Sequence, residues 1–492
     1  MIKIPLISNQ LLEETNNVEF KLNNLQFDRK VFTFRERNYE KKDHLTGQYS
    51  HIIENNGKLQ LYYQAHPHEE EKTNKQGSIC YAESVDDGLT FTRPNINIYK
   101  LKSGENNNII FMEGLSSNNF QVFMHQNKYY AIGGYQVDKN YHRNCRCNKL
   151  SYPEKFINDP VWPGESRNKI SWEVSHPCHG NGIYLFKSED GVNWKQESNK
   201  PIIHHGFKYK GLNKGTLGFD GCPKILFDEK TQNFLLYIRG NIKLGVRHIL
   251  FSKSKDLYNW SDLETIKLPD FDFEHDNYYF PSIYKYPDTD YYIGFISFFK
   301  NKILNKSGSE REYWNETNKI IFSIDGLNWD NLSDLTIDSI VRMSNKEETP
   351  GGAGHSRYPH IINFRKSNTN NEMHLYVQQG YFTWHNILLR YKWNINKMIY
   401  LTNKDNKHKS FFIIKKPKNN KSINFMNLDY YLCNEDSYIG LEFLKENREI
   451  DDNISSIIIN NNFTEKIKLS DKTIYIKIII YKSKIYSVIY DN

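Results

Sequence analysis

The sequence is poor in cysteine, in long apolar runs and in unbalanced charge, and each shortage excludes a class of protein. Six cysteines among 492 residues are too few for a disulfide scaffold of this size. No apolar run reaches the ~18 residues of a membrane-spanning helix. Lys plus Arg number 65 and Asp plus Glu number 58, too mild an excess for a strongly basic nucleic-acid binder. We therefore expect neither a membrane span nor a nucleic-acid partner.

The first residues also lack the features of an export signal. Residues 1–14 contain no sustained apolar segment followed by small residues. Together with the low cysteine content, this indicates a protein made in a reducing cytosol. We expect a cytoplasmic location, or a place in the virion if the source is viral.

Aromatic residues and one repeated turn motif are abundant. The 34 Tyr and 29 Phe favour pleated surfaces and hence β-strands. A motif with Ser, Asp, commonly Gly, and then an aromatic residue follows a β-like run four times. Such a motif predicts a tight turn that the aromatic side chain pins onto a sheet. We assign a structural role to its four aspartates, which are Asp87, Asp190, Asp256 and Asp325.

The spacing of this motif predicts a ring of similar units. The later copies are 66 and 69 residues apart, and the first gap of 103 residues fits one unit plus an insertion at about 137–181. A fifth pair of β-like runs, 372–378 and 387–393, lacks the motif. Five four-stranded sheets in a closed ring form a β-propeller. The predicted units are 28–96, 106–199, 212–265, 275–335 and 338–402.

The sequence changes in character after residue 402. Residues 403–422 are rich in Lys, Asn and Asp, as in a linker, and short runs that alternate polar and apolar residues follow. We therefore predict an all-β chain with two parts. Residues 1–402 form a five-bladed β-propeller, and residues 403–492 form a small C-terminal β-sandwich.

Three stretches carry a resemblance to a known superfamily. Residues 218–261, 79–84 and 473–490 resemble the arabinanase, levansucrase and invertase superfamily of five-bladed propeller glycoside hydrolases. Within it, the chain looks most like glycosyl-hydrolase-like proteins related to the family 32 N-terminal domain. The resemblance implies an oligosaccharide or glycoconjugate as partner, and we expect no cofactor. The Asn-Asp-Pro-Asn-Gly, Arg-Asp-Pro and Glu-Cys motifs of invertase-like enzymes are absent, so their catalytic carboxylates cannot be transferred to this chain.

Candidate catalytic residues follow from where a propeller places its active site. Innermost strands line a central funnel, and a glycosidase needs two carboxyl groups on either side of the scissile bond. Acids near the start of predicted inner strands are Asp220, Glu113 and Asp276. Asp220 is the best candidate, because flanking glycines permit close approach of a ligand. Each of the three could instead serve a turn or a solvated loop.

Polar and aromatic residues near the same strand starts are candidates for binding substrate. Asn119 and Gln121 alternate with apolar neighbours and so share one strand face, while Arg357 and His360 follow a glycine-rich stretch. Such side chains bind hydroxyl, carboxylate or phosphate groups, and tyrosines stack on sugar rings. The full set is Tyr49, His51, Asn119, Gln121, Tyr279, Arg357 and His360.

The insertion contains histidines and cysteines that could hold a structural zinc ion. Their Cys-x-Cys spacing lacks the usual two-residue gap, so unrelated thiols and imidazoles are the favoured interpretation and we predict no metal site. The residues concerned are His142, Cys145, Cys147, His176, Cys178 and His179.

These observations predict a glycan-active enzyme, namely a glycoside hydrolase with carboxylate acid/base chemistry in the funnel. Two alternatives remain. One is a non-catalytic carbohydrate-binding or structural propeller, for example in a viral or surface assembly, which the missing motifs favour. The other is a protein-interaction scaffold, which would expose an apolar patch in place of a polar pocket.

Overall fold

The computed structural model shows a chain that is nearly all β. It describes residues 2–5, 8–41, 46–65, 77–112, 119–134, 182–197, 201–204, 223–243, 246–269, 271, 276–300, 317–335, 359–380, 386–394, 397–405, 408–417, 425–461, 466–470 and 472–491. Helices in these ranges are limited to a 3-10 turn, Asn9–Leu11, and α1, Asn38–Lys41. None of the described helices is long and apolar enough to cross a membrane. The predicted β class is confirmed.

The described ranges contain 32 strands. The first sixteen are β1 (Ile2–Pro5), β2 (Glu14–Asn16), β3 (Val18–Leu22), β4 (Gln26–Thr33), β5 (His51–Asn55), β6 (Lys58–Ala65), β7 (Ser78–Ser84), β8 (Ile109–Phe111), β9 (Gln121–His125), β10 (Lys128–Gly133), β11 (Gly182–Ser188), β12 (Lys195–Gln196), β13 (Ile203–His204), β14 (Lys224–Asp228), β15 (Asn233–Lys243) and β16 (Val246–Ser254). The next sixteen are β17 (Glu264–Thr265), β18 (Asp276–Lys285), β19 (Tyr292–Lys300), β20 (Thr317–Ser323), β21 (Asp330–Leu335), β22 (His360–Lys366), β23 (Glu372–Gln379), β24 (Ile387–Asn394), β25 (Ile399–Asn403), β26 (Ser410–Lys415), β27 (Phe425–Leu432), β28 (Tyr438–Leu444), β29 (Ile457–Ile459), β30 (Ile467–Lys468), β31 (Tyr475–Tyr481) and β32 (Ser483–Asp491).

Five of the sheets, here called ring sheets 1 to 5, are arranged in a cycle. Ring sheet 1 contains β5 to β8, ring sheet 2 contains β9 to β13, ring sheet 3 contains β14 to β17, and ring sheet 4 contains β18 to β21. Ring sheet 5 contains β22, β23, β24 and then β4. The first strands β5, β9, β14, β18 and β22 contact one another in that order, and β22 contacts β5 again.

The closure of ring sheet 5 differs from the predicted unit boundaries. Strand β4 was expected to begin the first unit, yet it pairs with β24, with Thr33 opposite Ile387. Strand β8 was expected in the second unit but pairs with β7. Joining an early strand to a late one in a single sheet leaves fewer unpaired edges exposed to water, which explains the difference.

The two remaining sheets, the terminal sheets, combine both ends of the chain. One has the order β3, β25, β32, β27, β30, with β1 also paired to β32, and the other has the order β2, β26, β31, β28, β29. Apolar side chains from both sheets form one core, including Leu401, Phe412, Ile478 and Val488. Strands β1, β2 and β25 thus pair with strands of the predicted C-terminal part, and β3 pairs with β25. The sequence analysis had placed these four strands, except Asn403, within residues 1–402.

The repeated turn motif also links neighbouring ring sheets. In the second copy, the Asp190 carboxylate accepts hydrogen bonds from the backbone N–H groups of Val192 (2.9 Å) and Asn193 (2.7 Å). The turn carbonyl of Gly191 accepts a hydrogen bond from Tyr62 of ring sheet 1 (3.1 Å). In the fourth copy, the carbonyl of Gly326 accepts a hydrogen bond in the same way from Tyr237 of ring sheet 3 (2.8 Å). The motif therefore shapes its own turn and holds the adjacent sheet.

The first copy of the motif uses its two adjacent aspartates differently. Asp86, not Asp87, takes the turn position, where it accepts hydrogen bonds from Ser84 (2.6 Å) and from the N–H of Thr90 (3.0 Å). Asp87 instead forms a buried ion pair with Arg365 of ring sheet 5 (2.7 Å). Burial alone would raise the pKa of Asp87, but hydrogen bonds from Ser367 and Arg365 lower it to about 2. Its role is structural, as expected, but it acts between sheets.

Candidate functional site

Residues in or next to the first strands of all five ring sheets meet around one space, here called the central cavity. Every ring sheet contributes side chains to its lining, among them Tyr49, His51, Gln121, Lys224, Phe280, Ser282, His360 and Gln378. The enclosed volume is about 30 Å³, enough for one or two water molecules. This space is too small for a sugar ring, so a sugar would have to bind outside it, at a position here called the mouth of the cavity.

A glycine-dependent loop carries Tyr49 to the cavity. Gly47 has φ +93°, and a Cβ there would lie 2.4 Å from Nδ2 of Asn386. Its carbonyl accepts a hydrogen bond from Nε2 of Gln378 (2.7 Å), so the loop is fastened to ring sheet 5. Tyr49 follows with φ 52°. The residue after the glycine turn is thereby held at the junction of ring sheets 1 and 5.

His51 lies in the cavity wall with both ring nitrogens occupied by backbone groups. Nε2 accepts a hydrogen bond from the N–H of Val122 (2.8 Å), so Nδ1 carries the proton and donates to the carbonyl of Tyr49 (3.3 Å). The ring stacks on Tyr62 at 5.3 Å. Burial lowers the pKa of His51 to about 3, with Lys224 contributing. The hydrogen bond to a sugar predicted for His51 is thus not available, and its imidazole joins ring sheets 1 and 2.

The predicted pair Asn119 and Gln121 lies at the start of ring sheet 2. Gln121 lines the cavity, and its Nε2 donates to the carbonyl of Tyr49 (2.8 Å). Asn119 is buried with φ 57°. Its Oδ1 has no hydrogen-bond partner among the described residues. The Gln121 amide thus supports the tyrosine loop, whereas Asn119 is not among the residues that line the cavity.

Ring sheet 4 brings an acid and an aromatic group to the same end of the ring. Asp276 begins β18 and is buried, with 5% of its surface exposed. Three residues later, the ring of Tyr279 lies 4.1 Å from the guanidinium of Arg239 and 5.8 Å from that of Arg247. Phe280, the next residue, lines the cavity. The start of β18 thus combines a carboxylate with a tyrosine flanked by two cations from ring sheet 3.

His360 and Lys224 also line the central cavity. The His360 ring contacts Phe280 edge-on at 4.2 Å. Lys224, which the sequence analysis did not select, begins β14, and its Nζ lies 4.6 Å from the ring centre of Tyr284. A lysine directly after a proline at the start of a predicted inner strand is the signal that could have identified it. Gln378, also missed, comes from the second strand of ring sheet 5.

Several predicted residues lie outside the described residues. They are Glu113, Asp220 and Arg357, together with His142, Cys145, Cys147, His176, Cys178 and His179. Within the ranges that the structure describes, no group of three or more His, Cys, Asp or Glu side chains could hold a metal ion.

Comparison with known proteins gives matches only among solved structures. No protein-family model matches the chain, and no curated protein sequence matches it. A Bombyx mori GH32 β-fructofuranosidase is 10% identical, with a TM-score of 0.42, over 95% of this chain and 94% of its own. A Penicillium chrysogenum α-L-arabinanase complexed with arabinobiose is 11% identical, with a TM-score of 0.38, over 76% of this chain and 100% of its own.

A family 117 glycoside hydrolase from Zobellia galactanivorans is 13% identical, with a TM-score of 0.35, over 78% of this chain and 91% of its own. The chain is similar to five-bladed β-propeller glycoside hydrolases. At such identities the likeness says nothing about activity, so the functional inference comes from the residues of this chain.

Proposed function

We propose that the chain is a glycan-active enzyme, a glycoside hydrolase whose active site is the mouth of the central cavity. In this proposal the five ring sheets are the blades of a β-propeller and the terminal sheets are a β-sandwich. The observation that supports it is that polar side chains from all five first strands converge on one cavity. Polar groups around a concave site are what a ligand rich in hydroxyl groups requires.

The chemistry needs two carboxyl groups at this mouth. One, protonated, donates to the leaving glycosidic oxygen, and the other, ionised, attacks the anomeric carbon or activates water. Asp276, buried at the start of β18, is the described candidate, and Asp220 and Glu113 remain predictions. Carboxyl groups about 5–5.5 Å apart would give retention, and about 6.5–9.5 Å would give inversion. Tyr49, Gln121 and His360 would contact substrate hydroxyls, as would the predicted ligand Arg357.

The test is hydrolysis of a broad panel of oligosaccharides and aryl glycosides. We expect wild-type turnover that falls by about 10²–10⁴-fold in Asp220→Asn and in Asp276→Asn. Asp288→Asn is the control, because that side chain is 58% exposed and pairs with Lys366 on the surface. If both site variants retain wild-type turnover, the protein is an enzyme but Asp220 and Asp276 are not its catalytic residues. Thermal unfolding of each variant shows whether a loss of activity reflects loss of fold.

A non-catalytic carbohydrate-binding or structural propeller is the second candidate. The observation that favours it is that no Asp or Glu occurs among the described residues lining the central cavity. It predicts binding to members of the same glycan panel with no turnover. Under either function we propose a glycan as the partner and a cytoplasmic location, or a virion if the source is viral.

A further inference from the structure

A second cavity lies between ring sheets 1 and 2, at the opposite end of their strands from the central cavity. It is formed around the end of β5, the start of β6 and the end of β7, and its volume is about 360 Å³. This is within the ~300–1,000 Å³ typical of small-molecule sites. We call it the lower groove. None of the residues proposed for the active site lines it.

The floor of the lower groove is one continuous chain of hydrogen bonds. Asn55 Nδ2 donates to the hydroxyl of Tyr129 (2.6 Å), which donates to Oε1 of Gln60 (2.9 Å). Gln60 Nε2 donates to the hydroxyl of Tyr81 (3.0 Å), which donates to Oε2 of Glu83 (2.8 Å). Gln60 and Tyr81 are each 98% buried. Because every donor points towards the carboxylate, the floor is polarised and fixed before any ligand arrives.

The two ends of this chain retain unused hydrogen-bonding capacity. Lys58 Nζ donates to Oε2 of Glu83 (3.0 Å), and an ammonium group has two further protons. Oε1 of Glu83 and Oδ1 of Asn55 accept no hydrogen bond from the described chain. The groove therefore offers two acceptors and one donor to a ligand, all on half-buried side chains.

Charge and shape select the class of ligand. The carboxylates of Glu83 and Asp190 outnumber the single Lys58, so a phosphate or another anion is disfavoured. The faces of Tyr81 and Tyr129 are covered, with 2% and 5% of each residue exposed, so the described lining of the groove offers no aromatic cage for a cation. Pro94, Ile96 and Val192 add apolar side chains to the same lining. A ligand that carries both hydroxyl groups and C–H surface matches this mixed lining.

We propose that the lower groove is a second saccharide-binding site, which takes a neutral sugar independently of the central cavity. Sugar hydroxyls donate to Glu83 Oε1 and Asn55 Oδ1, and one accepts from Lys58. The C–H face of the ring packs against Ile96 and Val192. Such a site would keep the protein bound to a glycan whether or not the central cavity binds substrate. The proposal therefore does not depend on the proposed activity.

The test separates the two sites with single variants. Val192→Trp fills the groove while keeping the backbone N–H that its turn uses, and Glu83→Gln removes the charge at constant size. Lys224→Ala alters the central cavity only. Neutral mono- and disaccharides are screened by saturation-transfer NMR, and hits are titrated by calorimetry. We expect a neutral sugar whose Kd is unchanged in Lys224→Ala and at least tenfold weaker in both groove variants.

Three results would overturn the proposal. The first is that no neutral sugar binds to the Lys224→Ala protein. The second is an unchanged Kd in both Val192→Trp and Glu83→Gln. The third is tighter binding of uronic acids or sugar phosphates than of neutral sugars. Binding that Lys224→Ala abolishes and Val192→Trp leaves intact would support the central cavity and reject the groove. Circular dichroism and thermal unfolding check that the two groove variants fold.

Discussion

A buried ion pair beside α1 gives the sharpest prediction for stability. The side chains of Arg93 and Glu40 are 5% and 0% exposed, and Nε lies 2.9 Å from Oε1. Oε2 of Glu40 also accepts hydrogen bonds from Nη2 of Arg93 (3.0 Å) and from the N–H groups of Glu36 (2.9 Å) and Arg37 (3.0 Å). The guanidinium lies 4.0 Å from the ring centre of Phe32. Arg93 also donates to the carbonyl of Thr33 (2.6 Å), and its Nη1 pairs with Glu36 (2.7 Å), whose side chain is 65% exposed.

Arg93→Met removes the cation and leaves the carboxylate buried. Breaking one partner of such a pair costs about 3–5 kcal/mol. Glu40 would keep the hydroxyl of Tyr63 and two backbone donors, so we expect a loss near the lower end, about 3 kcal/mol. Urea unfolding followed by tryptophan fluorescence and circular dichroism measures it, provided that the two transitions coincide. Adding Glu40→Gln to Arg93→Met should recover part of the loss, because the uncompensated charge is gone.

The matched control is an ion pair of similar length on the surface. Lys445 and Asp452 lie 2.8 Å apart, with the carboxylate 84% exposed, and Lys445→Met should leave the unfolding curve unchanged because water screens such pairs. The reasoning is refuted if Arg93→Met costs less than about 1 kcal/mol, which is the value of a surface pair. It also fails if the double variant is less stable than Arg93→Met alone.

Two further predictions concern the wall of the central cavity. Gly47→Ala should lower the free energy of unfolding by about 1–3 kcal/mol, because its Cβ would lie 2.4 Å from Nδ2 of Asn386. Gly57 has a similar positive φ but no neighbour within 4 Å of a Cβ, so Gly57→Ala should lower it less. Equal losses of the two variants in urea unfolding would exclude the clash as the cause. Because burial lowers the pKa of His51 to about 3, the unfolded chain binds more protons below pH 6.5. The contribution of neutral His51 to stability is therefore complete above pH 6.5, and it is lost as the pH falls from 6.5 towards 3. Between pH 6 and 4, the free energy of unfolding should fall about 1.4 kcal/mol per pH unit more steeply for wild type than for His51→Gln, and parallel slopes would contradict this.

Local turn chemistry was predictable from the sequence, because it depends on residues close together in the chain. Ser188 and Asp190 form the expected turn, with the serine hydroxyl accepting from the N–H of Gly191 (2.9 Å). The first copy shows where local information ends. Asp86 and Asp87 both suit a turn, and only the position of Arg365, 278 residues later, decides which of them leaves it.

The candidate site was predicted in part for the same reason. Strand starts correctly brought Tyr49, Gln121 and His360 to one cavity. His51 was expected to bind ligand, but the N–H of Val122 occupies its Nε2, and a sequence cannot show that a backbone donor from another sheet will do so. Lys224 was missed because a lysine next to apolar strand residues is usually solvated. In the ring of five sheets, this lysine instead lines the central cavity.

The pairing of β4 with β24 has a consequence for how the protein is made. Asp28 in β4 accepts a hydrogen bond from Arg390, 362 residues later. At translation rates of about 5–20 residues per second, β4 leaves the ribosome roughly 20–70 s before its partner strand exists. During that interval its backbone edge is unpaired and open to other strands. The last step of ring closure therefore uses a segment made 362 residues before its partner, and a ribosome that stops before residue 387 releases a chain whose ring cannot close.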